Sequence, residues 1–335
     1  MKSLKNGFIA FGKNLKNCLG ILIGLLVMCV ALMLMTDKFA TVNNFFNVGR
    51  QITINIFLAC GMTLVILLGG IDLSVGSVIA VSGCVSAGMC TWMKLPVPAG
   101  ILIGILCGFA IGVINGLIAS RTTIPPFIIT LATMNIGRGI ARIYTGAKTI
   151  AVLNPAYTFL GTGKIGEIPI QIFFIVLIVL VTSFILNKTK LGRHIYFTGD
   201  NEQSAKYAGI NVRRVRMIVF MFSGLMASIA GILSTARTFA ATMDMGTSAE
   251  MDAIAAVVLG GTSMSGGRGT LMGTVIGAII IGVLSNGMNL LGINTSWQYV
   301  VQGIVILIAV FVDYAKNSSS GAPLLHRLGR SKREK

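Results

Sequence analysis

Side chains that could carry out a reaction are few in this sequence. The two histidines, His194 and His326, lie in basic segments without a carboxylate at the spacing of a catalytic pair. Neither the zinc-protease motif HExxH nor the nucleophile motif GxSxG occurs. Gly163 and Lys164 resemble the end of a phosphate-binding loop, but Ile165 follows where that loop needs Ser or Thr. The sequence therefore predicts no catalytic residue, no metal site, no cofactor and no nucleotide hydrolysis by this chain alone.

Polar side chains inside apolar segments are the other candidates, because a charge within a membrane is costly and usually functional. Asn135, Arg138 and Arg142 share one such segment, and a helix would place the two arginines, four residues apart, on one face. That face either lines an outer vestibule of a pathway or lets the arginines reach the lipid headgroups. Asn286 and Asn289 form a second polar pair, which either bonds to another helix or meets a polar solute.

Two glycine-rich segments interrupt the apolar pattern. In the first, GGIDLSVGS at 69–77, two helix-breaking glycines precede an acidic residue that a serine or a free backbone N–H can satisfy. It is either a helix break beside a pathway or a capped cytoplasmic turn. The second, GGTSMSGGRG at 260–269, either packs against the central basic segment or a cytoplasmic partner, or is only a flexible turn. The candidate break or gate residues are Gly70, Asp72, Ser74, Gly76, Gly260, Gly261, Ser265 and Gly267.

The elements that must position these residues are apolar helices. Hydrophobic residues make up 54% of the 335-residue chain, and charged residues 11%, against roughly 25% charged in soluble domains. We therefore expect an all-α polytopic membrane protein with about ten spans of roughly 20 residues each. The predicted spans are 18–36, 52–69, 73–93, 97–119, 127–145, 169–187, 217–236, 251–264, 270–291 and 297–314.

The distribution of charge predicts how these spans are oriented. The net charge is +17, and the basic residues gather in both tails and in the segment between the sixth and seventh spans. Because basic loops stay in the cytoplasm during insertion, both termini are expected inside, with an even number of spans. Attraction to anionic lipid explains the excess charge better than nucleic-acid binding does. The outer loops then contain Asp37, Glu167, Asp244 and Glu250.

The central basic segment shows the pattern of a short, capped helix. Gly199 is expected to open a turn, and Asp200 or Asn201 to cap a helix from Glu202 to Ala208. Gly209 is expected to end that helix in the left-handed conformation. Since a passive linker needs no caps, the helix is interpreted as a docking element for another protein.

Four long motifs, taken together and in order, resemble one known family. They are GGIDLSVGS, IPPFIITLATMNIGRG, GDNEQSAKYAGI and AEMDAIAAVVLGGTSMSGGRGT. Over roughly residues 52–313 the chain resembles the permease subunits of bacterial ATP-binding-cassette (ABC) monosaccharide importers, most closely their ribose branch. The resemblance implies a ten-helix bundle of the cobalamin-importer type, or type II, in the cytoplasmic membrane. It also implies three partners: a second permease copy or paralogue, a cytoplasmic ABC ATPase and an extracytoplasmic sugar-binding protein.

Within this resemblance the central basic segment is similar to the family's coupling loop. Gln203-Ser204-Ala205, followed three residues later by Gly209, resembles the EAA–Gly pattern, with Gln203 in place of the glutamate. The implied coupling residues are Asp200, Asn201, Glu202, Gln203, Ala205, Gly209 and Ile210. The implied organisation is a basic tail at 1–17, a transmembrane permease domain at 18–314 with its coupling loop at 187–216, and a basic tail at 315–335.

The implied function is passage of a monosaccharide, ribose first among the candidates, driven by a separate ATPase; the chain itself is not expected to be an enzyme. The binding protein is expected to dock on outer loops at 43–50, 146–167 and 237–250. The sequence shows no paired intramembrane carboxylates, which favours a neutral solute over cation coupling. The alternative is a secondary carrier or channel, which predicts transport by the chain alone. A membrane-embedded enzyme would need a nucleophile and base that the sequence lacks.

Overall fold

The computed structural model describes residues 19–319. The expected basic tail at 1–17 and the chain beyond residue 319 lie outside the described residues. In chain order the helices are α1 (Leu19–Met35), α2 (Val42–Leu67), α3 (Val75–Thr91), α4 (Val97–Arg121), α5 (Pro126–Thr145), α6 (Pro155–Thr162), α7 (Ile170–Lys188), α8 (Lys190–Asp200), α9 (Glu202–Tyr207), α10 (Val212–Thr238), α11 (Ala249–Leu259), α12 (Leu271–Leu290) and α13 (Thr295–Ser319). The short strands are β1 (Ile150–Ala151), β2 (Lys164–Ile165), β3 (Ile168–Pro169) and β4 (Ala240–Ala241).

The prediction of a mostly helical chain is confirmed, and each of the ten apolar segments contains a helix. By length and composition, α2, α4, α7, α10 and α12 are suited to cross a membrane. Helix α11 has 11 residues and is about 16 Å long, whereas a hydrocarbon core is about 30 Å thick. It therefore enters the bundle without the length to cross a membrane.

Helix α10 is the centre of one packed group, in which it contacts α2, α3 and α4. Small residues allow the closest contact, because a Cβ at Gly112 of α4 would stand 3.1 Å from the Cα of Gly224 in α10. Helix α2 joins this group to a second one, since it also packs against α7, α11 and α12. The four-residue glycine spacing in α4 thus serves helix packing, as expected for helices that associate in lipid.

The two ends of the bundle are closed in different ways. At one end, β1 pairs antiparallel with β4, with Ile150 opposite Ala241, and so ties the chain after α5 to the chain after α10. Beside this pair Tyr157 of α6 is fully buried and donates a hydrogen bond to Ser86 Oγ at 2.9 Å. At the other end lie α8 and α9. We call these the β1–β4 end and the α9 end.

The segment between α7 and α10 is more ordered than the sequence indicated, because α8 precedes the expected short helix. The expectation that Gly199 opens a turn is wrong, since it lies in the last turn of α8. A Cβ at Gly199 would overlap the carbonyl oxygen of Leu67 and stand 2.7 Å from Gly267 N. Position 199 therefore requires glycine, because the backbones of α8 and α2 approach closely at this point.

Candidate functional site

The short capped helix predicted from the sequence is present as α9. Asn201 is the cap, and its side-chain oxygen accepts a hydrogen bond from Ser204 N at 2.8 Å. The other expected cap, Asp200, is instead the exposed last residue of α8. Gly209 is left-handed (φ +77°), as predicted, although the helix ends at Tyr207, one residue earlier than expected. The sequence thus encodes this element locally, through its cap and its terminating glycine.

One side of α9 is fixed to the bundle. Ala205 is fully buried, and Ile210 N donates to its carbonyl oxygen at 3.0 Å. Glu202 pairs with Lys206 at 2.8 Å and with Arg216 of α10 at 2.9 Å. The hydrogen bond from Lys206, followed by the charge of Arg216, holds the pKa of Glu202 below its ordinary value. Helix α9 is therefore held to the start of α10 by both apolar burial and charge.

The other side of α9 is open. Gln203, Ser204 and Gly209 are exposed, and the side chain of Tyr207 is 89% exposed. A large aromatic ring so exposed on an ordered, capped helix is typical of a contact that a partner protein completes. Tyr207 was not among the predicted coupling residues, although an aromatic residue inside the capped helix was a visible signal in the sequence.

Both glycine-rich segments contact the central basic segment (187–216) at the α9 end. Gly267 N donates to Leu67 O, the last residue of α2, at 2.9 Å, and Tyr196 of α8 donates to Gly269 O at 3.0 Å. A Cβ at Gly266 would lie 2.8 Å from Gly199 O and 3.0 Å from Gly69 N. The expectation that 260–269 packs against the central basic segment is confirmed.

The remaining gate candidates divide by environment. Gly70 and Gly260 are buried, and a Cβ at Gly260 would meet the backbone of α12. Gly261 (φ +81°) and Ser265 are exposed. Gly267 has φ +70°, and a Cβ there would meet Asp200. The buried members fix helix contacts, whereas the exposed pair is accessible at the surface.

Asp72 follows the break between α2 and α3 and is buried, with 1% exposure. Its carboxylate accepts hydrogen bonds from Ser74 N (3.0 Å), Ser74 Oγ (2.6 Å) and Ser223 Oγ of α10 (2.7 Å). Ser74 Oγ in turn accepts from Asn115 Nδ2 of α4 at 2.9 Å. The helix break between α2 and α3 is confirmed, and Ser74 satisfies Asp72 through its backbone N–H and its hydroxyl, as expected. Asp72 links the turn directly to α10 through Ser223 and indirectly to α4 through Ser74. These hydrogen bonds offset the cost of burying a carboxylate.

The two arginines of α5 both bind the segment between α10 and α11. Arg138 Nη1 donates to the carbonyl oxygens of Met243 (3.2 Å) and Met245 (2.5 Å). Arg142 forms an exposed ion pair with Asp244 at 3.3 Å. Snorkelling to headgroups is therefore wrong for Arg138, whose guanidinium is held by protein carbonyls.

Asn135 points outward from the same helix. It is exposed, and its amide donates only to Leu131 O of α5 itself, at 3.1 Å. Asn135 is thus a polar group on the outer surface of the described bundle.

Glu250 does not lie in an outer loop as expected. It lies in the first turn of α11, with 9% exposure, and Asp252 follows in the same turn. The expectation that Glu250 lies in an outer loop is therefore wrong. The signal available in the sequence was that the motif AEMDAIAAVVL places two acids at the start of an apolar run.

The two asparagines of α12 serve contacts between helices. Asn286 and Asn44 of α2 exchange two side-chain hydrogen bonds of 3.0 Å and are both buried. Asn289 is exposed and accepts from Gln298 of α13 at 2.9 Å. Of the two alternatives from the sequence, the structure favours helix-to-helix bonding. Among the described residues, no group of three or more His, Cys, Asp or Glu side chains could hold a metal ion.

Comparison with known proteins identifies the family of this chain. A family profile described as "Branched-chain amino acid transport system / permease component" matches residues 44–310. The chain belongs to this permease family. Its members are transport components rather than enzymes, as the sequence led us to expect. No solved structure matches the chain.

Relatives of the chain include ribose import permeases. The chain is 40% identical over 302 residues to "Ribose import permease protein RbsC" of Escherichia coli K12, covering 88% of this chain and 93% of that protein. It is 44% identical to the protein of the same name from Bacillus subtilis 168, covering 90% and 94%. It is 38% identical over 277 residues to "D-allose transport system permease protein AlsC" of E. coli K12, covering 83% and 85%. The resemblance to sugar-import permeases is confirmed.

Proposed function

We propose that this chain is the membrane-spanning permease subunit of an ABC importer that moves a monosaccharide across the bacterial cytoplasmic membrane. Ribose is the first candidate solute. The observation that carries the proposal is the 40% and 44% identity to two ribose import permeases over 88% and 90% of this chain. The 38% identity to a D-allose permease supports the wider class of monosaccharides.

The proposed topology is a type II bundle of ten membrane helices with both termini in the cytoplasm. The ten are α1 to α5, α7 and α10 to α13, with α11 and the segment between β4 and α11 together making one crossing. The α9 end then faces the cytoplasm, in agreement with the basic residues of 187–216. The basic tails at 1–17 and 315–335 belong to the same side, and 18–314 is the transmembrane domain.

Helix α9 is proposed to contact the cytoplasmic ATPase subunit. The proposed coupling residues are Asp200, Asn201, Glu202, Gln203, Ala205, Gly209 and Ile210. Burial of Ala205 and the two ion pairs of Glu202 support a rigid link, and exposed Tyr207 supports a docking face. Movement of α9 would reach the bundle through α8, because α8 contacts both the α2–α3 turn and 260–269.

The same contacts support a gating role for the two glycine-rich segments. The proposed gate residues are Gly70, Asp72, Ser74, Gly76, Gly260, Gly261, Ser265 and Gly267. Asn135 and Arg138 are the better pathway candidates, because Asn286 and Asn289 already bond to other helices. Exposed Asn135 would then face the second permease copy or the pathway between the two copies. The β1–β4 end, including 146–167 and 237–250, is proposed to receive the sugar-binding protein.

The experiment that tests this function is uptake of radiolabelled ribose into vesicles that contain the full chain. One sample holds the chain alone, and another adds the ABC ATPase and the sugar-binding protein encoded beside it. We expect ATP-dependent uptake only in the complete sample, and competition by an excess of unlabelled monosaccharides. ATP-independent uptake by the chain alone would favour the secondary carrier instead and would overturn the proposal.

Replacing Tyr207 by alanine is expected to weaken assembly with the ATPase by about 30-fold. The reason is that an exposed aromatic at a protein interface is a frequent energetic centre, worth about 2 kcal/mol or more. The measurement is the Kd between the detergent-solubilised chain and the purified ATPase. Tyr207→Phe keeps the ring and should bind like the wild type. A Tyr207→Ala variant with an unaltered Kd would remove α9 from the ATPase contact.

A further inference from the structure

A charged cluster lies deep in the bundle, where α3, α5 and the start of α11 meet. Arg138 is twelve residues from the start of α5, which is about 18 Å along the helix axis. Glu250 begins α11, whose other end leads directly into 260–269 at the α9 end. In the proposed topology both positions therefore lie near the middle of a hydrocarbon core about 30 Å thick. Charged groups at that depth usually mark the route of a solute.

The two charged groups approach the same glycine. A Cβ at Gly76 would collide with Glu250 Oε2 and would stand 3.3 Å from Arg138 Nη2. Only a glycine at position 76 therefore leaves room for the carboxylate and the guanidinium together. Although they approach one point, Arg138 and Glu250 form no ion pair within the part of the chain that the structure describes.

Each of the two groups has unused hydrogen-bonding capacity. Glu250 Oε2 is buried and has no hydrogen-bond partner in the described structure. Arg138 uses Nη1 for the carbonyl oxygens of Met243 and Met245, and its Nη2 has no partner among the described residues. A buried carboxylate oxygen without a partner is costly, so a donor is expected to reach it in the working protein.

A sugar hydroxyl satisfies both groups at once. It donates its proton to Glu250 Oε2 and accepts a hydrogen bond from Arg138 Nη2, whereas an apolar solute can do neither. Hydrogen bonds to charged groups are the stronger ones. Arg138 is held in place by the two backbone carbonyls, which fixes its geometry before the solute arrives. The arrangement therefore suits a neutral solute with several hydroxyl groups.

The surroundings leave a route to this cluster. Asn135, Arg142, Asp244 and Thr247 are exposed on the same side, although α5, with 20 residues, has the length of a membrane helix. Exposure of a charged residue to lipid at mid-membrane is energetically costly. Because that cost is avoided only beside water or protein, this side of α5 is expected to border a hydrated pathway.

We propose that Arg138 and Glu250 form a hydroxyl-binding site for the sugar midway through the membrane. The inference rests on the proposed function and adds to it the specific contact that recognises the solute. The site would sense the number and arrangement of hydroxyl groups rather than net charge.

The test is the Glu250→Gln variant in the complete transporter of chain, ATPase and sugar-binding protein. Two rates are measured, uptake of ribose and ATP hydrolysis stimulated by the ribose-loaded binding protein. We expect uptake to fall at least tenfold while stimulated ATP hydrolysis stays within twofold of the wild type. The variant should also lose preference for ribose over a deoxyribose that lacks one hydroxyl. Asp37→Asn, the same kind of change at an exposed site, should match the wild type.

A second variant distinguishes loss of the site from misfolding of the chain. Arg138→Lys keeps the charge but lacks the forked donors, and it should show the same loss of uptake and of hydroxyl preference. Unchanged uptake and preference in both variants would overturn the site. Loss of the paired permease assembly in both variants would also overturn it, by showing that the cluster contacts the second copy. Absence of ribose uptake by the wild-type complex would instead refute the proposed function, and the inference with it.

Discussion

Replacing Gly199 by alanine is expected to move the central basic segment (187–216) away from the bundle and to reduce ATP-driven uptake at least tenfold. A Cβ at this position would overlap the backbone carbonyl oxygen of Leu67 and crowd Gly267 N. Backbone atoms in packed helices cannot move aside as flexible side chains do. Overpacking of this kind costs about 1–3 kcal/mol or more. The strain would be released by moving α8 away from the end of α2.

Two measurements separate this effect from general unfolding. The first is ribose uptake by the complete transporter, and the second is the thermal unfolding midpoint of the chain in detergent. Gly139→Ala is the matched control, because Gly139 is also helical and a Cβ there meets no atom within 4 Å. The control should transport like the wild type. If Gly199→Ala also transports normally, the contact between α8 and α2 does not transmit movement.

The parts of this structure that the sequence predicted are local. Apolar runs of about 20 residues gave the positions of the long helices, since length and composition alone define them. The cap Asn201 and the terminating Gly209 gave α9, because both signals lie within a few residues of the helix they limit. The break at Gly69 (φ +82°) was visible for the same reason. These features need no knowledge of distant neighbours.

The parts that the sequence did not predict depend on contacts between distant residues. Ser223 bonds to Asp72 from 151 positions away, and nothing near either residue indicates the other. Gly199 was read as a turn residue because glycine is common in turns, whereas its role here is close approach to Leu67. The burial of Glu250 likewise depends on the missing side chain of Gly76. A periodic pattern shows which face of a helix is polar, but not which other polar group it meets.

This difference also changes how the function is understood. The sequence showed no paired intramembrane carboxylates, which favoured a neutral solute over cation coupling. The structure places Asp72 and Glu250 inside the bundle with different environments. Asp72 is fully hydrogen-bonded and joins three elements, whereas Glu250 keeps an oxygen without a partner. A bonded carboxylate stabilises the fold, and an unbonded one is available to a solute.

Replacing Asp72 by alanine is therefore expected to destabilise the chain by on the order of 3–5 kcal/mol. The change removes the acceptor of three hydrogen bonds and leaves Ser74 N, Ser74 Oγ and Ser223 Oγ buried without it. Each unsatisfied buried donor costs about 1–3 kcal/mol, and the three share one cluster, so the costs do not simply add. The measurement is the thermal unfolding midpoint in a fixed detergent, followed through tryptophan fluorescence.

Two smaller changes show how the cluster works. Ser223→Ala deletes only the bond from α10 and should cost about 1 kcal/mol. Asp72→Asn keeps an acceptor for Ser74 but presents an amide N–H, so that Ser223 Oγ must accept instead of donate; an intermediate loss is expected. If Asp72→Asn is as stable as the wild type, the carboxyl group is held in its neutral form. If Asp72→Ala is as stable as Ser223→Ala, the turn between α2 and α3 does not depend on this carboxylate, and its gating role loses its main support.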